Sequence, residues 1–181
     1  MKTTATIVGL ALLTSCTSLD IDSARFSAGA SALQATAEVE DNAGTRSNTA
    51  DSDRTKVNLE LTNVQEDGLE VGLLLGFSEG DVGEVESTNY DIGAAARQFF
   101  TEGTLRPYVE GRIGYRRAEL YDPVLFGKGA SDMLLLGAGA GVQLDITESL
   151  GLFVQGNYDY AHGDRFSTDG FGVTFGGTVS F

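Results

Sequence analysis

Apolar and polar residues alternate with a period of two through most of this chain. Val57, Leu59 and Leu61 interleave with Lys56, Asn58, Glu60 and Thr62. Leu69, Val71, Leu73, Leu75 and Phe77 interleave with Glu70, Gly72, Leu74 and Gly76. The same beat returns over 92–96, 109–115, 134–144, 150–160 and 171–181. Successive side chains of a strand point to opposite faces, so each run predicts a strand with one apolar and one polar face. A weaker eighth segment covers 24–38, and an even number of strands closes an up-and-down barrel. No run after residue 20 holds a helical repeat for long. The pattern predicts an all-β chain: an eight-stranded antiparallel up-and-down transmembrane β-barrel over residues 23–181.

The connections carry a second expectation. Long polar stretches are predicted at 39–55, 78–89 and 117–131, and a medium one at 161–168. Short turns are predicted at 65–68, 101–104 and 147–149. Tight turns at one end and longer loops at the other are the habit of barrels that span a membrane.

Period two alone leaves the direction of the apolar face open. A lipocalin-like barrel turns it inward around a ligand; a membrane barrel turns it outward to lipid. The polar face here is rich in glycine, at Gly72, Gly76, Gly93, Gly137, Gly139, Gly141, Gly172 and Gly176. Glycine weakens a strand facing water but suits a narrow lumen. Six of the apolar faces carry no charge, as lipid requires, since a cation at the midplane costs about 2–4 kcal/mol. Aromatics stand at strand ends: Phe77, Tyr115, Tyr158, Tyr160 and Phe171 at one, Phe100 and Phe181 at the other. Two such belts suit the two interfaces of a bilayer.

Residues 1–15 read as a secretory signal, with Lys2 before a short apolar run, Ile7–Leu13. Leu13-Thr14-Ser15-Cys16 resembles the bacterial lipobox, whose cysteine is acylated after cleavage. That resemblance implies lipidation at Cys16, a linker over 16–22 and handling by lipoprotein-processing enzymes. Thr17, where a retention signal would place Asp, implies sorting to the outer membrane. Arg106-Pro-Tyr-Val-Glu-Gly-Arg-Ile-Gly-Tyr115 and Leu152–Tyr160 are similar to strands of the OmpA/opacity-protein class of eight-stranded outer-membrane barrels. The last strand, with Phe171, Phe175, Val179 and terminal Phe181, resembles the C-terminal signal read by the outer-membrane assembly machinery. The resemblance covers about residues 23–181 and implies a periplasmic N-terminus, extracellular loops, and contact with outer-membrane lipid and lipopolysaccharide.

Composition narrows the chemistry. With one Cys and one His, the chain has no disulfide framework, no cysteine-cluster zinc site and few routes to a catalytic triad. A formal net charge of −14 disfavours nucleic acid. The inward face is predicted to hold Lys56, Glu60, Glu70, Asp91, Arg97, Glu110, Arg112 and Asp159. Buried charges must pair, and Arg97 and Arg112 are expected to pair with Glu60, Glu70 and Glu110. His162, near Asp164 and Ser167, is the one candidate base, but the deacylase His-x-Ser-Asn arrangement is not matched. Gly137–Gly141 lies within a strand and opens no helix, so it is no dinucleotide fingerprint. Acids at Asp51, Asp53, Glu79, Asp81, Glu84 and Glu86 form a solvated surface without EF-hand spacing. The expectation is a monomeric, cofactor-free and metal-free barrel that is not an enzyme and not a wide pore. Its role would be structural, adhesive or surface-interactive. A ligand-binding lipocalin-like lipoprotein, a lipid-modifying barrel enzyme and a narrow ion pore are the alternatives.

Overall fold

A computed structural model describes residues 23–40, 46–65, 67–82, 85–122, 127–163 and 166–181. The strands are β1 (Ala24–Glu40), β2 (Arg46–Val64), β3 (Leu69–Val82), β4 (Val85–Phe99), β5 (Leu105–Asp122), β6 (Gly127–Asp145), β7 (Leu150–Gly163) and β8 (Phe166–Ser180). Each pairs antiparallel with its sequence neighbour, and β8 pairs back onto β1 to close the barrel. Closure removes the unpaired edges that an open sheet would expose.

The stagger follows from the register. Ala28 pairs with Leu59, then Leu75, Ile92, Tyr115, Leu134, His162 and Ser167 in turn, and Ser167 pairs with Glu38, ten residues along β1. A shear of this size over eight strands tilts them by roughly 40° and leaves an interior that side chains fill.

The apolar face points outward throughout. Val57, Leu59, Leu61, Leu73, Leu75, Ile92, Ile113, Leu134, Leu136 and Val154 are exposed, and Phe171 and Phe175 are 62% and 64% exposed. Their neighbours Lys56, Glu60, Glu70, Asp91, Arg97, Glu110 and Asp159 are buried. This is the reverse of a lipocalin and removes that alternative. Phe77 and Tyr90 make a ring contact of 5.5 Å in the upper aromatic row, which continues through Tyr115, Tyr160, Tyr158 and Phe171. Phe100 and Phe181 mark the end that carries the chain termini.

The predicted long loops are corrected. β3 runs to Val82 and β4 starts at Val85, so most of 78–89 is ladder. Likewise β5 reaches Asp122 and β6 begins at Gly127; β1 reaches Glu40 and β2 begins at Arg46. Strands of 14–19 residues exceed the 9–11 or so that a tilted strand needs to cross a bilayer. The polar stretches are therefore strand extensions beyond the aromatic row. Above lipid the ladder needs no apolar face, and the alternation signal fades there. At the other end, Gly68 (φ 71°) and Gly103 (φ 114°) take the left-handed turn conformations that glycine alone adopts without strain.

One close approach fixes two further glycines. Gly93 and Gly114 are partners across β4 and β5. A Cβ on Gly93 would lie 2.4 Å from the Ile113 carbonyl oxygen, and one on Gly114 would lie 2.5 Å from that of Ile92.

Candidate functional site: the lumen and its two mouths

The lumen is filled in layers. At the termini end, Arg106 pairs with Asp145 at 2.8 Å and lies 4.2 Å over the Phe99 ring. Arg25 approaches the same ring at 5.9 Å. Phe99, Tyr108 and Phe153 form an aromatic floor, and the Arg97 guanidinium sits 4.6 Å over Tyr108. Such cation–ring contacts gain strength when desolvated.

Above the floor stands the predicted charge cluster. Arg97 lies 2.6 Å from Glu110, 2.8 Å from Glu60 and 3.8 Å from Glu70. Arg112 lies 3.2 Å from Glu110 and donates to Asn157 Oδ1 at 2.9 Å. All five predicted residues thus fall in one connected group. Arg25 joins it through a short contact to Glu70. It belongs to β1, the strand with the weakest alternation, so sequence reasoning missed it.

A second ionic layer lies above, and Arg112 links the two through Asp159 at 3.3 Å. Lys56 is 2.8 Å from Asp159 and 3.0 Å from Asp91. Arg116 grips Asp91 with two bonds, Nε at 2.7 Å and Nη2 at 2.8 Å. This fork-to-carboxylate geometry is the strongest ion-pair arrangement available. Arg116 was missed because the predicted run ends at Tyr115, one residue before it. Tyr108 donates to Gln155 at 2.7 Å, Gln155 to Glu110 at 2.9 Å, and Asn157 to Thr174 at 2.5 Å. Ala118, Met133, Leu135 and Ala161 fill one wall of the upper lumen. Between the layers, a cavity bordered by Ser27, Asn58, Glu60, Arg112 and Gln155 has room for about one water molecule.

Outside the lumen, His162 faces outward above the upper aromatic row. Its Nδ1 is 3.5 Å from the Tyr160 hydroxyl, and Ser167 is its partner across the sheet. Asp164 lies outside the described residues, as do Cys16, the signal region, the linker and Glu84. Asp53, Glu79, Asp81 and Glu86 are exposed, and no group of three or more metal-ligating side chains is drawn together among the described residues. Phe171, Phe175, Val179 and Phe181 all face outward on or beyond β8.

No family model matches the chain, and neither does any curated protein. Solved structures do. Neisserial surface protein A superposes with a TM-score of 0.60 at 19% identity, covering 86% of this chain and 97% of that one. Outer membrane protein AlkL, solved in DMPC lipid bilayers, gives 0.57 at 16% identity, covering 87% and 89%. The outer membrane enzyme PagL gives 0.54 at 12% identity, covering 84% and 99%. One fold thus serves a surface protein and an enzyme. What the chain shares with all three is the small, closed outer-membrane barrel.

Proposed function

We propose that this chain is a bacterial outer-membrane barrel that works through its outer surface and its extended hairpins, in a structural, adhesive or surface-interaction role. One observation carries the reading: the lumen is closed by two ionic layers and an aromatic floor. Eleven charged side chains among the described residues are buried there, and they fill the width of the lumen. The apolar exterior meets lipid, and the strand extensions stand clear of it. The N-terminus lies on the periplasmic side, where acyl chains on Cys16 enter the inner leaflet beside the barrel. Lipopolysaccharide meets the upper aromatic row from the outside. No cofactor or metal is needed for such a role.

Planar-bilayer recording tests the closed lumen. The refolded barrel is expected to give no sustained conductance; a steady open channel would overturn the reading. Orientation is tested with Gly129→Cys in a Cys16→Ser background, which an impermeant maleimide should label on intact cells. Labelling only after lysis would reverse the assignment.

The enzyme reading rests on His162 beside Tyr160 and opposite Ser167 on the outward face. We propose that the chain is a non-enzyme: His162 is its one histidine, and it stands exposed on the outer face with its Nδ1 3.5 Å from the Tyr160 hydroxyl. Mass spectra of lipid A from cells with and without the protein should coincide. A protein-dependent change lost in His162→Ala would establish the enzyme instead.

A further inference from the structure

The two ionic layers are not equally balanced. In the lower one, Arg25, Arg97 and Arg112 face Glu60, Glu70 and Glu110, three against three. In the upper one, counted over the described residues, Arg54, Lys56 and Arg116 face Asp91 and Asp159, three against two. The surplus cation is Arg54. It is 6% exposed, has no ion pair among the described residues, and its Nε lacks a hydrogen-bond partner. Asp91 and Asp159 are already held by Lys56, Arg112 and Arg116. A buried charge without a counter-charge is strongly unfavourable, so an arrangement of this kind calls for a negative partner.

The space for that partner is present. A cavity at the upper mouth is bordered by Arg54, Arg116, Ser78, Thr168, Leu33 and Gly170, and also touches Ala35, Asp159 and Asp169. Thr168 Oγ1 is a second buried polar atom there without a partner. Asp169 stands in the outward-facing row of β8, in the same parity as Phe171. Gly80 leaves room for the Arg54 side chain beside it, since a Cβ there would lie 2.5 Å from Arg54 Cγ. The space suits a group about the size of a water molecule. A small anion fits this space better than phosphate or sulfate does. The site lies three residues along β2 beyond Val57, above the Phe77–Tyr90 contact, within reach of external solvent.

We propose that the upper mouth binds a small monovalent anion of halide size between the Arg54 guanidinium and the Thr168 hydroxyl. The anion completes the charge balance of the upper layer and locks the mouth end of the lumen.

The test uses the intact refolded barrel. Crystals soaked in bromide should show an anomalous peak beside Arg54 Nε, and Arg54→Gln should abolish it. Melting at constant ionic strength should be higher in chloride than in gluconate by about 3 °C once the anion exceeds its Kd about tenfold. The Arg54→Gln barrel should melt alike in both salts, and in gluconate no lower than the parent. Arg117→Gln, an exposed control on the outer face, should keep the chloride effect. Three results would overturn the proposal: no bromide at Arg54, a chain carboxylate or water there instead, or a chloride effect that survives Arg54→Gln.

Discussion

Arg97 on β4 and Glu110 on β5 are direct partners across the sheet, and their side chains meet at 2.6 Å inside the barrel. Glu60 and Glu70, on β2 and β3, reach the same guanidinium. Arg97→Ala would strip the shared cation from three buried carboxylates and leave Arg25 and Arg112 to serve them. A loss of about 3–5 kcal/mol is expected, read as a lower urea midpoint in lipid vesicles. Replacing Arg97 and Glu110 together with Met and Leu should cost less than Arg97→Ala alone, because no orphaned charge is then left at that pair. Equal midpoints for Arg97→Ala and the parent would rule out the network as a source of stability.

The outer face gives a depth test on one strand. Val154 lies midway along β7, between Leu150 at the termini end and Tyr160 in the upper aromatic row. Val154→Arg should destabilise by about 2–4 kcal/mol, and Leu150→Arg by about 0–1 kcal/mol. A midplane that tolerated arginine as well as the rim would mean that lipid does not contact this face.

Two glycines of β5 should behave oppositely. Gly114 faces inward, where a Cβ would strike the Ile92 backbone. Gly111 faces outward, and nothing lies within 4 Å of its ideal Cβ. Gly114→Leu should cost at least about 1–3 kcal/mol through overpacking and lower the yield of the compact, heat-modifiable form. Gly111→Leu should leave that yield unchanged or raise it. Loss of folding in Gly111→Leu but not Gly114→Leu would place the lumen on the wrong face.

The barrel should hold the membrane without its anchor. Exposed apolar side chains ring all eight strands, and no charge interrupts them between the two aromatic rows. Cys16→Ser, exported on a substituted non-lipoprotein signal, is therefore expected to stay with the outer-membrane fraction through alkaline carbonate. Release into the supernatant would show that acylation, and not the barrel, provides attachment.

Much of the fold was legible because lipid imposes a one-dimensional rule. Every second residue must be apolar wherever a strand crosses, so the strand cores and their outward faces appear directly in the sequence. That rule stops at the aromatic rows. Beyond Phe77 and Tyr115 the ladder continues with polar residues on its outer face, and the sequence alone reads there as loop. Arg116 was lost because the predicted run ends at Tyr115, one residue before it, and Arg25 because the alanines of β1 mark its apolar face so weakly.

By itself, the sequence determined the parity of seven strands and eight of the inward charges from Lys56 to Asp159, while the eighth strand followed from the even number that closes a barrel. These are local properties, repeated every two residues. The tertiary structure alone decided which charges meet. Barrel closure with a ten-residue stagger brings Arg25 of β1 to Glu70 of β3 and Lys56 of β2 to Asp159 of β7. No strand carries that stagger in its own alternation, because it is set by the sum of eight registers. The same closure leaves Arg54 as the cation without a carboxylate among the described residues. Local patterning places charges on a face, but only the shared interior fixes their partners.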